Sequence, residues 1–327
     1  MRHFIASLAL AADVAGCIGA SRSKKGISTF LNVLIPFLNV LIPFLMVAGC
    51  SGGPKGGTVV PPGMAGRVIA KPATQPAGER VEIEKGYTLF VPNEWSDSRR
   101  SSCALTIHFH TEPWFAIEEH LRRGLREPLL VVMLGQGSSV YRVPFEDRAW
   151  LGRLVGRVEK QLQTRVKMVD VSSFSAGYGA VREIVKWPEY RQLIRRIVLC
   201  DSMYGSFAAG STARPAAEHI EPWVAFAKMA ARGEKTFVLT HSQVPTANYA
   251  SSAQCAAALI EAVGGAKVIV PRGAIAATLD PEFPLLTRTD VGHFHVWGYD
   301  GADAQAHLTH VRHLAEVWKA LDAAGEQ

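Results

Sequence analysis

The residues best placed to do chemistry in this 327-residue sequence are Ser173-Phe174-Ser175-Ala176-Gly177. A seryl hydroxyl is a weak nucleophile until a turn presents it to a neighbouring base. A turn sharp enough to do so crowds its own flanks, so the positions two before and two after the nucleophile must be small. Ser173 and Gly177 meet that demand. The run Val166–Val171 reads as a strand and 176–185 as a helix, so Ser175 falls where one passes into the other. That placement lifts its hydroxyl above a sheet end and aims the N–H of Ala176 at a developing oxyanion. The helix N-terminus adds a favourable partial positive charge.

Such a serine requires a histidine base and a carboxylate to orient it. Gly292-His293-Phe294-His295 offers two histidines two residues apart, on one face of an extended segment. His307 is a third candidate, from the first turn of the last helix. His310 and His313 read as part of that helix's solvated or half-buried face. For the carboxylate, Asp201 follows the apolar run Arg196–Cys200.

The elements that must position these groups alternate. Val81–Glu84 and Tyr87–Val91 read as a hairpin, and Ala104–Phe109, Leu129–Met133, Thr236–Thr240 and Lys267–Val270 as further strands. Phe115–Leu125, Asp147–Leu162, Ala216–Ala231 and Ala250–Val263 read as helices, and a last helix carries Leu308, Val311, Leu314, Val317 and Leu321 on one face. Repeated βα units predict an α/β fold, with a mainly parallel sheet and helices on both faces. Ligands in such sheets bind at the carboxyl ends of the strands.

This order of elements, with the run around Ser175, resembles the α/β-hydrolase superfamily over roughly residues 80–322, although Ser173 stands where a glycine is usual. The resemblance implies a serine hydrolase of esterase type, acting without a cofactor through a Ser-His-Asp triad. It implies the chain order nucleophile, acid, base. The usual acid position follows Thr236–Thr240, but His241–Ile260 contains no Asp or Glu. The resemblance therefore points to Asp201, a position some members use. The base is expected between the last strand and the last helix, with His295 preferred over His293 and His307. The second oxyanion donor is expected from Thr111, in the loop His110-Thr111-Glu112-Pro113-Trp114. Trp114, Phe115, Tyr178 and Tyr204 are placed to line an apolar pocket. Two other readings compete. The pairs His108-Phe-His110 and His293-Phe-His295 suit a metal hydrolase, and the fold also serves non-catalytic binding.

The N-terminal 49 residues read as an export signal. Arg22, Lys24 and Lys25 precede an uncharged stretch from Ile27 to Ala48, which contains a tandem copy of Phe-Leu-Asn-Val-Leu-Ile-Pro and ends at Val47-Ala48-Gly49-Cys50. That ending resembles the lipobox of bacterial lipoproteins and implies lipidation at Cys50, a membrane partner through the lipid, and a location in the cell envelope. Val14-Ala15-Gly16-Cys17 is a second, weaker match. Residues 50–78, rich in Gly, Pro, Ala and Thr, read as a flexible linker, and 79–327 as one α/β-hydrolase-like domain. Cleavage before Cys50 removes Arg2, Arg22, Lys24, Lys25 and Asp13, lowering the formal net charge of +6 by three. No basic block then remains to bind nucleic acid. The remaining cysteines, Cys103, Cys200 and Cys255, read as buried hydrophobes.

Overall fold

A computed structural model describes residues 58–64, 67, 69–96, 101–271 and 282–326. Cys50 and the export segment lie outside the described residues. Ten strands occur among those residues: β1 Gly78–Glu84, β2 Tyr87–Pro92, β3 Ser102–Phe109, β4 Leu129–Val132, β5 Arg165–Phe174, β6 Ile194–Cys200, β7 Thr236–His241, β8 Val268–Ile269, β9 Leu285–Val291 and β10 Phe294–Tyr299. They form one sheet in the order β1-β2-β4-β3-β5-β6-β7-β10-β9-β8. β4, β3, β5, β6, β7 and β10 run parallel. Antiparallel hairpins close both edges.

The helices are α1 Asn93–Ser96, α2 Pro113–Arg123, α3 Ser138–Glu146, α4 Trp150–Leu162, α5 Tyr178–Ile184, α6 Pro188–Leu193, α7 Ala217–Ala231, α8 Ser252–Ala262, α9 Ala304–Arg312 and α10 Leu314–Ala323. Their ends follow from sequence. Proline opens α2, where no N–H partner is lost, and Gly124 closes it at φ 96°. Ser251 and Gln254 make a reciprocal capping box on α8. In α4, Leu151, Leu154, Val155 and Val158 form the buried stripe that the helical spacing predicts.

Strand alternation divides the core between the two faces of the sheet. Leu105, Ile107, Phe109, Val169, Val171, Ile197, Leu199, Phe237 and Leu239 pack with residues of α3, α4, α5, α7 and α8. Val198, Cys200, Val238, Trp297 and Tyr299 pack with residues of α9 and α10 on the other face. The mixed α/β layering read from sequence is therefore the observed one.

Two readings need correction. Gly/Pro-rich composition marks residues 50–78 as a linker, yet Val59 and Met64 are buried. Met64 bridges Phe283, and the Tyr299 hydroxyl donates to the Pro62 carbonyl at 2.9 Å. Val59 and Met64 join the apolar cluster on the α9–α10 side, which composition alone does not reveal. Second, Lys267–Val270 reads as a strand but contributes only Val268–Ile269, at the antiparallel edge. The last parallel strand is β10.

Candidate active site

β5 ends at Phe174, and Ser175 takes a left-handed backbone at φ 46°. A single 3-10 turn, Ser175–Gly177, then leads into α5. For a residue with a Cβ, this conformation is costly and is held by its surroundings. Part of the holding comes from Gly177, where a Cβ would stand 2.7 Å from the Phe109 carbonyl oxygen. Only glycine lets the turn approach β3 so closely.

Ser173, where a glycine is usual, is fully buried. Its hydroxyl lies 2.8 Å from that of Ser202, which donates to the Ser175 carbonyl at 2.9 Å. Ser202 has one proton to give, so Ser173 is the donor between the two hydroxyls. The extra side chain is thus accommodated by a bond to the loop that carries Asp201.

Asp201 lies one residue past β6 and is also left-handed, at φ 43°. Its N–H donates to the Thr240 carbonyl at 2.8 Å. Its buried carboxylate accepts two hydrogen bonds at Oδ2, from His307 Nδ1 at 2.7 Å and from the Ser242 hydroxyl at 2.6 Å. Burial acts to raise the Asp201 pKa, but the hydrogen bonds from His307 and Ser242 outweigh it and hold the carboxyl well below the usual range. Asp201 is therefore a carboxylate at neutral pH.

His307 stands in the first turn of α9, a helix whose N-cap, Asp303, accepts the Ala306 N–H. Its ring packs against Phe174, with centroids 4.6 Å apart, beside the nucleophile's own residue. With Nδ1 donating to Asp201, the neutral ring carries its lone pair on Nε2, at the opposite side. That nitrogen is the one free to take a proton.

His293 and His295 are not part of this cluster. β10 begins at Phe294 and runs parallel to β7, so both histidines sit at the amino end of the strand. The candidate site is at the carboxyl ends. His295 Nδ1 lies 2.6 Å from Asp290 Oδ1, and its Nε2 lies 3.1 Å from Glu326 Oε1. His293 occupies the β9–β10 turn. His295 lies nearer than His293 to the glycine-rich turn before the last helix, but that nearness along the chain does not carry it to the carboxyl end of the sheet.

The paired H-x-H segments also separate, since His108 and His110 lie at the carboxyl end of β3 and His293 and His295 at the amino end of β10. His108 is wholly buried and bonds Ser172 at 2.8 Å, and burial pushes its pKa down to about 3. His310 is buried on α9, with Nδ1 2.8 Å from the Thr240 hydroxyl. Burial pushes its pKa to about 3 as well. His313 is buried too and bonds the Thr309 carbonyl, so neither is a solvated helix position.

Thr111 belongs to the loop that follows β3, the strand whose last residue, Phe109, closes on Gly177. Phe109 of β3 pairs with Ser173 of β5, and Thr111 and Ser175 each follow two residues later, beyond the ends of those strands. The Thr111 hydroxyl is buried without a hydrogen-bond partner. Before it comes His110, left-handed at φ 71°, with Nδ1 2.8 Å from the Tyr141 hydroxyl and its ring stacked at 6.1 Å on Phe174. Phe174 thus contacts both His110 and His307. Trp114 and Phe115 are apolar packing residues of the α9–α10 side.

Three groups at this site escape sequence reasoning: Ser202, Ser242 and the stacking of His110 on Phe174. Ser242 does occupy the place where an acid is usual, and its polarity was the available signal.

No protein-family model and no curated protein matches the chain. Solved structures do. An acetyl xylan esterase from Aspergillus awamori is 12% identical over 76% of this chain and 99% of its own, at a TM-score of 0.42. A thermophilic esterase from Thermogutta terrifontis is 15% identical over 58% and 78% respectively, at 0.38. An IroE-like serine hydrolase from Shewanella oneidensis is 11% identical over 72% and 74%, at 0.41.

Proposed function

We propose that the chain is a serine hydrolase acting on carboxylic esters, with Ser175 as nucleophile, His307 as base and Asp201 as the orienting acid. The observation that carries this reading is the His307–Asp201 hydrogen bond, made beside a left-handed Ser175 at the strand ends. In the proposed cycle His307 Nε2 takes the Ser175 proton as Oγ attacks the ester carbonyl. The oxyanion forms against the N–H groups of Ala176 and Thr111. His307 then gives its proton to the departing alcohol, leaving an acyl group on Ser175. Water, activated by the same nitrogen, releases the acid. Asp201 stays ionised throughout and stabilises the imidazolium. A fluorophosphonate probe tests this: labelling of the wild type and none of Ser175→Ala is expected, and an unlabelled wild type overturns it.

We further propose that the domain is exported and held at a membrane by lipid on Cys50. The support is the basic cluster, the uncharged stretch and the Val-Ala-Gly-Cys ending. No helix among the described residues is long and apolar enough to cross a membrane. Metabolic palmitate labelling that is lost in Cys50→Ala is expected, and a mature mass that retains residues 1–49 overturns the idea.

A further inference from the structure

A strip of three tyrosines leads away from the proposed nucleophile, and we infer that it receives an aryl ring of the ester substrate; this rests on the reading of Ser175 above. Tyr178, the third residue past Ser175, opens α5. Tyr204 is tied to the acid turn, because its hydroxyl donates to the Asp201 carbonyl at 3.0 Å. Tyr249 stands in the connection after β7 and is 47% exposed. The rings meet in sequence. The Tyr178 and Tyr204 centroids are 5.6 Å apart at 58°, and those of Tyr204 and Tyr249 are 5.7 Å apart at 79°.

The chemistry of the strip selects its ligand. The Tyr178 hydroxyl donates to Ser138 at 3.2 Å, so the two inner hydroxyls are already spent within the protein. The Arg182 guanidinium lies over the Tyr178 ring at 5.6 Å. The ring left exposed for a ligand is the outermost one, Tyr249, with Tyr204 packed behind it. An alkyl chain would gain contact area but nothing from the ring quadrupoles. An aryl group gains both, by extending the tilted and edge-on series already present.

Matched esters test this. Methyl 3-phenylpropanoate is compared with methyl 3-cyclohexylpropanoate, and benzyl acetate with cyclohexylmethyl acetate, so that the ring is placed on either side of the ester. In at least one pair the aryl ester should have the higher kcat/KM, by about 2- to 12-fold. Tyr249→Leu should lower kcat/KM for the aryl ester more than for the cyclohexyl ester, so that the preference is lost, and Tyr249→Phe should keep it. Absence of a preference in both pairs, or a preference that survives Tyr249→Leu, overturns the inference. If Ser175 still takes the fluorophosphonate label, the hydrolase reading stands when the ring inference falls. If nothing labels, saturation-transfer NMR with the same esters decides the strip alone: selective aryl contact supports it and equal contact overturns it.

Discussion

His307 Nδ1 lies 2.7 Å from Asp201 Oδ2, joining the first turn of α9 to the end of β6 across 106 residues of sequence. The contact fixes which nitrogen of His307 is protonated and turns the other away from the acid. Replacing the carboxylate by an amide keeps the shape but lets the ring adopt the wrong tautomer. Asp201→Asn should therefore lower kcat for ester hydrolysis by about 10³- to 10⁴-fold with a folded protein. Steady-state kinetics on a short-chain ester, with circular dichroism as the folding control, make the measurement. A loss of less than tenfold would remove Asp201 from the triad.

Ser202 links the acid loop to the elbow through the Ser175 carbonyl and the Ser173 hydroxyl. Ser202→Ala removes both bonds and leaves the Ser173 hydroxyl buried without its partner. The cost should be about 1–3 kcal/mol in unfolding free energy. Because the Ser175 turn is held partly by that bond, kcat should fall while KM changes little. A double-mutant cycle with Ser173→Gly separates the two bonds: Ser173→Gly removes the orphaned hydroxyl and should recover part of the lost stability.

Much of this architecture is legible in the sequence because strands with two buried faces and helices with one apolar stripe leave different patterns. The elbow is legible for the same reason, as small residues are forced by contacts such as Gly177 against Phe109. The base is less so. Leu285–Val291 carries Thr287, Arg288, Thr289 and Asp290, a polar run suited to a hairpin near the sheet edge rather than to a buried strand. Without β9, the adjoining His293-Phe-His295 segment reads as an extended connection between the last strand and the last helix, when it is the start of the last parallel strand. Ser242 bonding Asp201 depends on the proximity of two strand ends, which spacing along the chain does not encode.

Thr111 offers an independent test of the oxyanion loop. Its hydroxyl is buried and unpartnered, so it carries a desolvation cost with no return. Thr111→Val keeps the shape and the backbone N–H but removes the hydroxyl. Thermal melts should show unchanged or raised stability, by up to about 2 kcal/mol. Esterase activity should stay within about threefold, since the proposed donor is the main-chain group. Thr111→Pro deletes that N–H and should cost about 10²-fold or more in kcat. Equal activity losses in the two variants would assign the hydroxyl, and not the N–H, to the reaction.

His295 is held between Asp290 and Glu326 at the far end of the sheet, so its titration should appear in stability and not in turnover. Burial acts to lower its pKa, but the two carboxylates outweigh it and raise it above the ordinary value of 6.5. Asp290, which also pairs with Arg288, is held below its ordinary value, and His293 faces Glu326 at 4.0 Å. A raised histidine pKa stabilises the folded chain fully below the unfolded value, and that stabilisation fades as pH rises through the folded one. His295→Gln should therefore cost about 3 kcal/mol at pH 5.5 and distinctly less at pH 8.5. Its kcat/KM at pH 7.5 should remain within about threefold of the wild type, whereas His307→Gln should lose about 10³-fold or more. If His295→Gln abolishes turnover in a folded protein while His307→Gln does not, the base lies at the amino end of β10 and the proposed triad is wrong.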